Sequence, residues 1–187
     1  MLGVKKGQVI LTDHSNNWKR LFQKEKQLLI NIIGESIEDI EHFGSTSIEG
    51  IKAKPVLDIL VGVNRMEDFN KFDRSLMKAE GYYHLPGVKL QGKQVFAKFS
   101  DLETLTKTHI LHVVEFKGKW WNEHLTFRHY LNSHPLAAKE YEELKNKLAS
   151  QYPADESAYT EGKYQFVQDI VKRANDEGVQ KQNESLF

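Results

Sequence analysis

The chain has 187 residues, 40% of them hydrophobic, no cysteine, and 26 basic (Lys and Arg) against 26 acidic (Asp and Glu) side chains. Without cysteine there are no disulfides and no thiolate metal sites, which suits a reducing compartment. Charge balance removes any global pull toward nucleic acid or an anionic membrane, so an anion site has to be local. No apolar run reaches the roughly 18 residues a membrane span needs, and the start, MLGVKKGQVILTDH, lacks a signal-type apolar stretch. The expectation is one cytoplasmic domain over residues 1–187, with no membrane partner.

In chain order, Val9-Ile10-Leu11 reads as a short edge strand, and His14-Ser15-Asn16-Asn17 as a helix start. Trp18, Leu21, Phe22, Leu28, Leu29, Ile32 and Ile33 then recur at helical spacing up to Gly34. Residues 37–43 alternate as a strand, and 56–63 form an almost wholly apolar, central type of strand interrupted by Asp58. Met66 to Glu80 reads as a single helix closed by Gly81, with Met66, Phe69, Phe72, Leu76 and Met77 on one face. Three β segments follow at Tyr82–Leu85, Val95–Phe99 and Thr108–Val114. The mixed α/β part thus covers about 8–116, and the pattern over about 120–176 is helical. Its segments run from Asn122 to Asn132, from Pro135, which suits a first turn, and from near Asp155, before a polar, frayed tail over 177–187.

Three places carry candidate chemistry. The turn at Gly44, followed by Ser45, Thr46 and Ser47, presents backbone N–H groups and hydroxyls suited to phosphate oxygens, with Lys52 and Lys54 nearby. The plainer alternative is a glycine turn with a helix-capping hydroxyl. Asp58 is the sharper signal, because a carboxylate inside an apolar strand is costly unless it is paired, hydrogen-bonded or cation-bound; its alternative is a sheet carboxylate satisfied by a neighbour such as Lys54. On the strand THILHVVE, His109 and His112 point to opposite faces, so one of them at most faces the site, and His112 is the choice. Trp120, Trp121, Phe127 and Tyr130 lie near Lys117, Lys119 and Arg128 in sequence, but their spacing reads as a core-facing helix stripe and not as a stacking platform for nucleic acid. HExxH, Walker, GxSxG and GxGxxG patterns are absent.

Taken together, EHFGSTSIEGIKAKPVLDILVGV, HSNNW followed by Phe22, THILHVV at 108–114, HLTFRHYLNSHP with AAKEYEELKNKLA, and YTEGKYQFV resemble, in order, the motifs of the GrpB family, over about residues 8–176. The resemblance implies a nucleotidyltransferase-like fold: a mixed sheet with an N-terminal helix and a C-terminal helical extension. It also implies a nucleotide cleft flanked by the Gly44-Ser45 turn and the Asp58 strand. In nucleotidyltransferases of this pattern two acids stand one residue apart on that strand and a third on a neighbouring strand, and they hold two metal ions that align nucleotidyl transfer. Here Leu60 takes the second position and His112 the third, and Glu49 replaces a customary proline.

The expectations carried forward are Asp58 and His112 as catalytic residues, with Asp58 as ligand to Mg²⁺ or Mn²⁺. Gly44, Ser45, Thr46, Ser47, Lys54, Lys98 and Arg128 are expected to hold the phosphates of a nucleotide or phosphorylated small molecule. Three readings stay open: a nucleotidyltransferase acting on a small acceptor, a binding module for a nucleotide or CoA-like metabolite, and a protein-interaction scaffold.

Overall fold

The computed structural model describes residues 2–86 and 92–184. Helix α1 (Asn17–Ile33) turns Trp18, Phe22, Leu29 and Ile33 inward at the spacing expected of its stripe. Strands β1 (Asp39–Phe43) and β2 (Leu57–Val63) follow. A 3-10 segment (Met66–Lys71), helix α2 (Arg74–Ala79) and strands β3 (Tyr82–His84), β4 (Lys93–Asp101) and β5 (Thr106–Glu115) complete the mixed region. Helices α3 (Lys119–Ser133), α4 (Pro135–Gln151), α5 (Glu156–Glu161) and α6 (Tyr164–Glu184) make up the rest.

The sheet has the order β1-β2-β5-β4-β3; β2 and β5 run parallel and every other pair is antiparallel. Because side chains alternate along a strand, β2 divides the molecule. Leu57, Ile59, Val61 and Val63 share one core with α1, Phe69, Phe72 and Met77. Leu60 faces the other way and packs with Phe43, Val114 and Trp121 under α3. Asp58, two residues before Leu60, shares this second face. A further core of Ile48, Ile51, Phe127, Leu131, Tyr141, Ile170 and Val171 binds the 44–56 connection to α3, α4 and α6.

Four expectations needed correction. Val9-Ile10-Leu11 is not a strand: Val9 packs with Leu148 and Tyr159 of the helical layer and donates its N–H to Pro153 O at 2.9 Å. The helix expected over 66–80 is broken, because Phe72 is extended and the Asp73 carboxylate accepts from the N–H groups of Ser75 and Leu76, starting α2 afresh and leaving Leu76 48% exposed. The third C-terminal helix is likewise two, divided at Gly162-Lys163. The polar segment expected to fray from 177 is helical through Glu184.

Candidate functional site

The Gly44 turn is shaped by its closeness to Asp58. Gly44 has φ of +70°, and a Cβ there would stand 2.2 Å from Asp58 Oδ2, so only glycine lets the backbone lie against the carboxylate. The three hydroxyls that follow have different fates. Ser47 Oγ donates back to Gly44 O at 2.7 Å, and Thr46 Oγ1 pairs with His42 Nε2 at 2.9 Å, so both are engaged inside the turn. Ser45 Oγ instead meets Tyr141 OH of α4 at 3.2 Å.

Asp58 keeps 28% of its side-chain surface exposed, yet the protein packed around its carboxyl is dense. That burial raises its pKa from 3.8 to about 6, against the pull of Lys54, Lys163, Lys93 and Lys107. The remaining exposure keeps the carboxyl in contact with water. Among the described residues its counterpart in ion-pair range is His112, whose Nε2 lies 3.9 Å from Asp58 Oδ1, too long for a hydrogen bond. His112 is neutral at pH 7, its pKa pushed well below 6.5 by burial and then by Lys93 and His124. His112 Nδ1 and His124 Nε2 are both buried without a hydrogen-bond partner.

Two lysines complete the surroundings. Lys93, at the start of β4, is buried with its ammonium 4.5 Å from the centre of the Trp120 ring; Lys163, at the break between α5 and α6, lies 4.3 Å from the centre of the Tyr159 ring. Burial lowers the pKa of each to about 8, and the Asp58 carboxylate works against that shift in both. Neither is in salt-bridge contact with an acid among the described residues. Burial also raises the Tyr141 phenol to about 12, so it is a hydrogen-bond donor at any ordinary pH.

The structure gathers Gly44, Ser45, Asp58 and His112 at one place and brings Lys54 within electrostatic reach. It does not bring Lys98 there. Lys98 lies on the α1 face of the sheet, where it bonds Glu25 at 2.7 Å beside Tyr82 and His109. Arg128 donates to Glu41 Oε2 and to His42 O, both at 2.6 Å, capping the outer edge of β1. With Thr46 and Ser47 it lines a separate groove of roughly 460 Å³ along that edge. Sequence reasoning missed Tyr141, which sits on an apolar helix stripe, and Lys93 and Lys163, which look like solvated turn lysines. The one available signal was Lys163 within YTEGKYQFV.

The donor set does not fit a two-metal centre. Among the described residues no group of three or more His, Asp or Glu side chains converges, and Leu60, at the second carboxylate position, is fully buried in an apolar cluster. One aspartate and a neutral histidine beside several lysines oppose the binding of two divalent cations.

A mixed sheet carrying a Gly-Ser turn against a strand aspartate, roofed by helices, defines the nucleotidyltransferase-like fold. The Cid1 poly(U) polymerase solved with Mg and 3′-dATP shares it, with a TM-score of 0.52 and 13% identity over 80% of this chain and 49% of that one. The family model described as GrpB protein matches residues 8–173, and the chain belongs to the GrpB family. It is 63% identical to the glutamate-rich protein GrpB of Alkalihalophilus pseudofirmus over 91% of this chain and 98% of the relative. Identity to YqkA of Bacillus subtilis is 35%, over 91% of this chain but 48% of the relative. The crystal structure of GrpB from Enterococcus faecalis superimposes with a TM-score of 0.79 at 31% identity, covering 90% of this chain and 98% of that one. No helix of the described residues is long and apolar enough to cross a membrane.

Proposed function

We propose that the site around Asp58 binds a nucleotide or another phosphorylated small molecule, with lysine ammonium groups supplying the positive charge that metal ions supply in two-metal nucleotidyl transfer. The observation that carries this reading is the pair Lys93 and Lys163. Lys93 is buried and Lys163 half-buried, both act electrostatically on Asp58, and neither has an acid in salt-bridge contact among the described residues. Burying cations without a matching anion is costly, and such costs concentrate at binding sites. Ser45 and Tyr141 add neutral hydroxyls beside the charge, and Gly44 lets a ligand approach the backbone closely.

In this reading Asp58 is an acid–base group, not a metal anchor: with a pKa raised toward neutrality it is suited to take a proton from a ligand hydroxyl. The 3.9 Å approach of His112 to Asp58 supports a second reading, nucleotidyl transfer to a small acceptor with these two residues as the catalytic pair.

Calorimetric titration with ATP, GTP, CTP, UTP, CoA and pyrophosphate, in EDTA and in Mg²⁺, separates the two. Lysine-held phosphate predicts binding in EDTA that survives Asp58→Asn and is weakened at least about tenfold, roughly 1.4 kcal/mol, by Lys163→Gln. Binding that appears only with Mg²⁺ and disappears in Asp58→Asn would overturn the first reading and favour the second. A protein that binds none of these ligands would refute both.

A further inference from the structure

Glu156 opens helix α5, but it is not needed to start it. Asp155 is the cap, and its carboxylate accepts the Ala158 N–H at 3.0 Å. The Glu156 side chain instead leaves the helix and lies across two lysines of the sheet region. Its Oε1 accepts from Lys54 Nζ at 2.6 Å and from Lys107 Nζ at 2.9 Å, and its Oε2 accepts from Lys107 Nζ at 2.8 Å. All three groups are partly withdrawn from water: 17% of each lysine side chain and 24% of the glutamate side chain remain exposed. Lys54 lies on the segment leading into β2, and Lys107 lies on β5 beside it. Lys54 is four residues before Asp58, Lys107 is two residues before the β5 partner of Leu57, and both pull on the Asp58 carboxylate, so the pair borders the proposed site.

A planar anion with two oxygens held by two ammonium groups has the contacts that two oxygens of a phosphate group would make with the same lysines. The residue that supplies it belongs to a six-residue helix with a turn at Pro153-Ala154 on one side and a break at Gly162-Lys163 on the other. Lys163, whose charge acts on Asp58, follows α5 directly. Glu156 and Lys163 are therefore carried by α5 and the break that directly follows it.

We propose that Lys54 and Lys107 form a phosphate subsite of the site around Asp58, that Glu156 fills it when no ligand is bound, and that a ligand phosphate displaces Glu156. This rests on the phosphate-binding reading of that site and adds to it a subsite, its occupant and a cost. A ligand that must first evict an internal carboxylate binds with an apparent affinity reduced by the fraction of molecules in which the lysines are free. The ligand class is then a di- or triphosphate, long enough to reach from Lys163 to the Lys54/Lys107 pair.

The test is calorimetric titration of the full chain with pyrophosphate and ATP in EDTA, comparing wild type, Glu156→Gln, Lys107→Gln and the double variant. Glutamine keeps the shape and one acceptor but removes the competing charge. The expected result is binding about tenfold tighter in Glu156→Gln, weaker than wild type in Lys107→Gln, and no gain from Glu156→Gln once Lys107 is replaced. If wild type binds but Glu156→Gln binds no more tightly, or Lys107→Gln binds unchanged, the subsite is wrong while the phosphate reading stands. Should Glu156→Gln fail to fold, Lys107→Gln decides alone. Absence of binding in wild type and in every variant refutes the subsite and the phosphate reading together.

Discussion

Asp58→Asn should stabilise the protein at alkaline pH. In the folded chain the Asp58 pKa is raised from 3.8 to about 6, mainly by burial. An acid whose folded pKa is raised binds more protons in the folded than in the unfolded state between those two values, so stability falls as pH rises through that window. Above it the penalty is constant. A shift of about two units at 1.36 kcal/mol each amounts to roughly 3 kcal/mol at pH 8, and to under about 1 kcal/mol at pH 4. The larger figure is an upper bound, since 28% of the Asp58 side chain remains open to solvent. The attraction of Lys93 and Lys163 is already contained in the shift and does not have to be subtracted again. Asparagine has nearly the same volume and no charge, so the variant should be more stable than wild type by about 1–3 kcal/mol at pH 8 and nearly equal to it at pH 4. Urea unfolding at the two pH values measures this directly, provided the denaturant slope is unchanged. A variant less stable than wild type at pH 8, or a difference independent of pH, would show that the carboxylate is satisfied and not strained.

Three other substitutions follow from the same geometry. Gly44→Ala places a Cβ 2.2 Å from Asp58 Oδ2 at a φ of +70°, so it should cost more than about 1 kcal/mol in urea unfolding and alter ligand titrations through Asp58; a neutral result would deny the close approach. Lys98→Gln leaves the buried Glu25 short of its 2.7 Å cation and should lower stability by roughly 1–3 kcal/mol while ligand affinity stays at the wild-type value; a loss of affinity in a folded variant would return Lys98 to the site. Leu60→Asp restores the sequence pattern of paired carboxylates but puts a charge in a fully buried apolar cluster; a thermal melt should show destabilisation of several kcal/mol, and a variant that is folded and gains tight Mg²⁺ binding would contradict the assignment of that face.

Much of the fold was legible because its signals are local. The α1 stripe, the β2 apolar run and the Pro135 helix start each depend on spacing that tertiary packing did not override. One misread boundary lies where a single side chain reset the backbone. Asp73 restarts α2 by capping it, and nothing in the apolar period around Phe72 announces that break. At the site, strand alternation separated His112 from His109, and in the structure His112 lies near Asp58 while His109 lies near Glu25 on the other face. Lys98 was misplaced because a lysine's partner depends on which sheet face it occupies, and the partner, Glu25, sits on a helix 73 residues earlier in the chain. Lys93, Lys163 and Tyr141 escaped for a related reason: their importance comes from burial beside Asp58, and burial of a polar residue is set by how the helical layer folds back over the sheet, which no local pattern records.

The most direct test of the central claim is the affinity for pyrophosphate in EDTA at pH 7, measured for wild type and Lys163→Gln side by side. Metal-free binding by wild type that is at least about tenfold weaker in the variant is the result expected if lysines hold the phosphates. Binding that requires Mg²⁺, or that is equal in the two proteins, would contradict it.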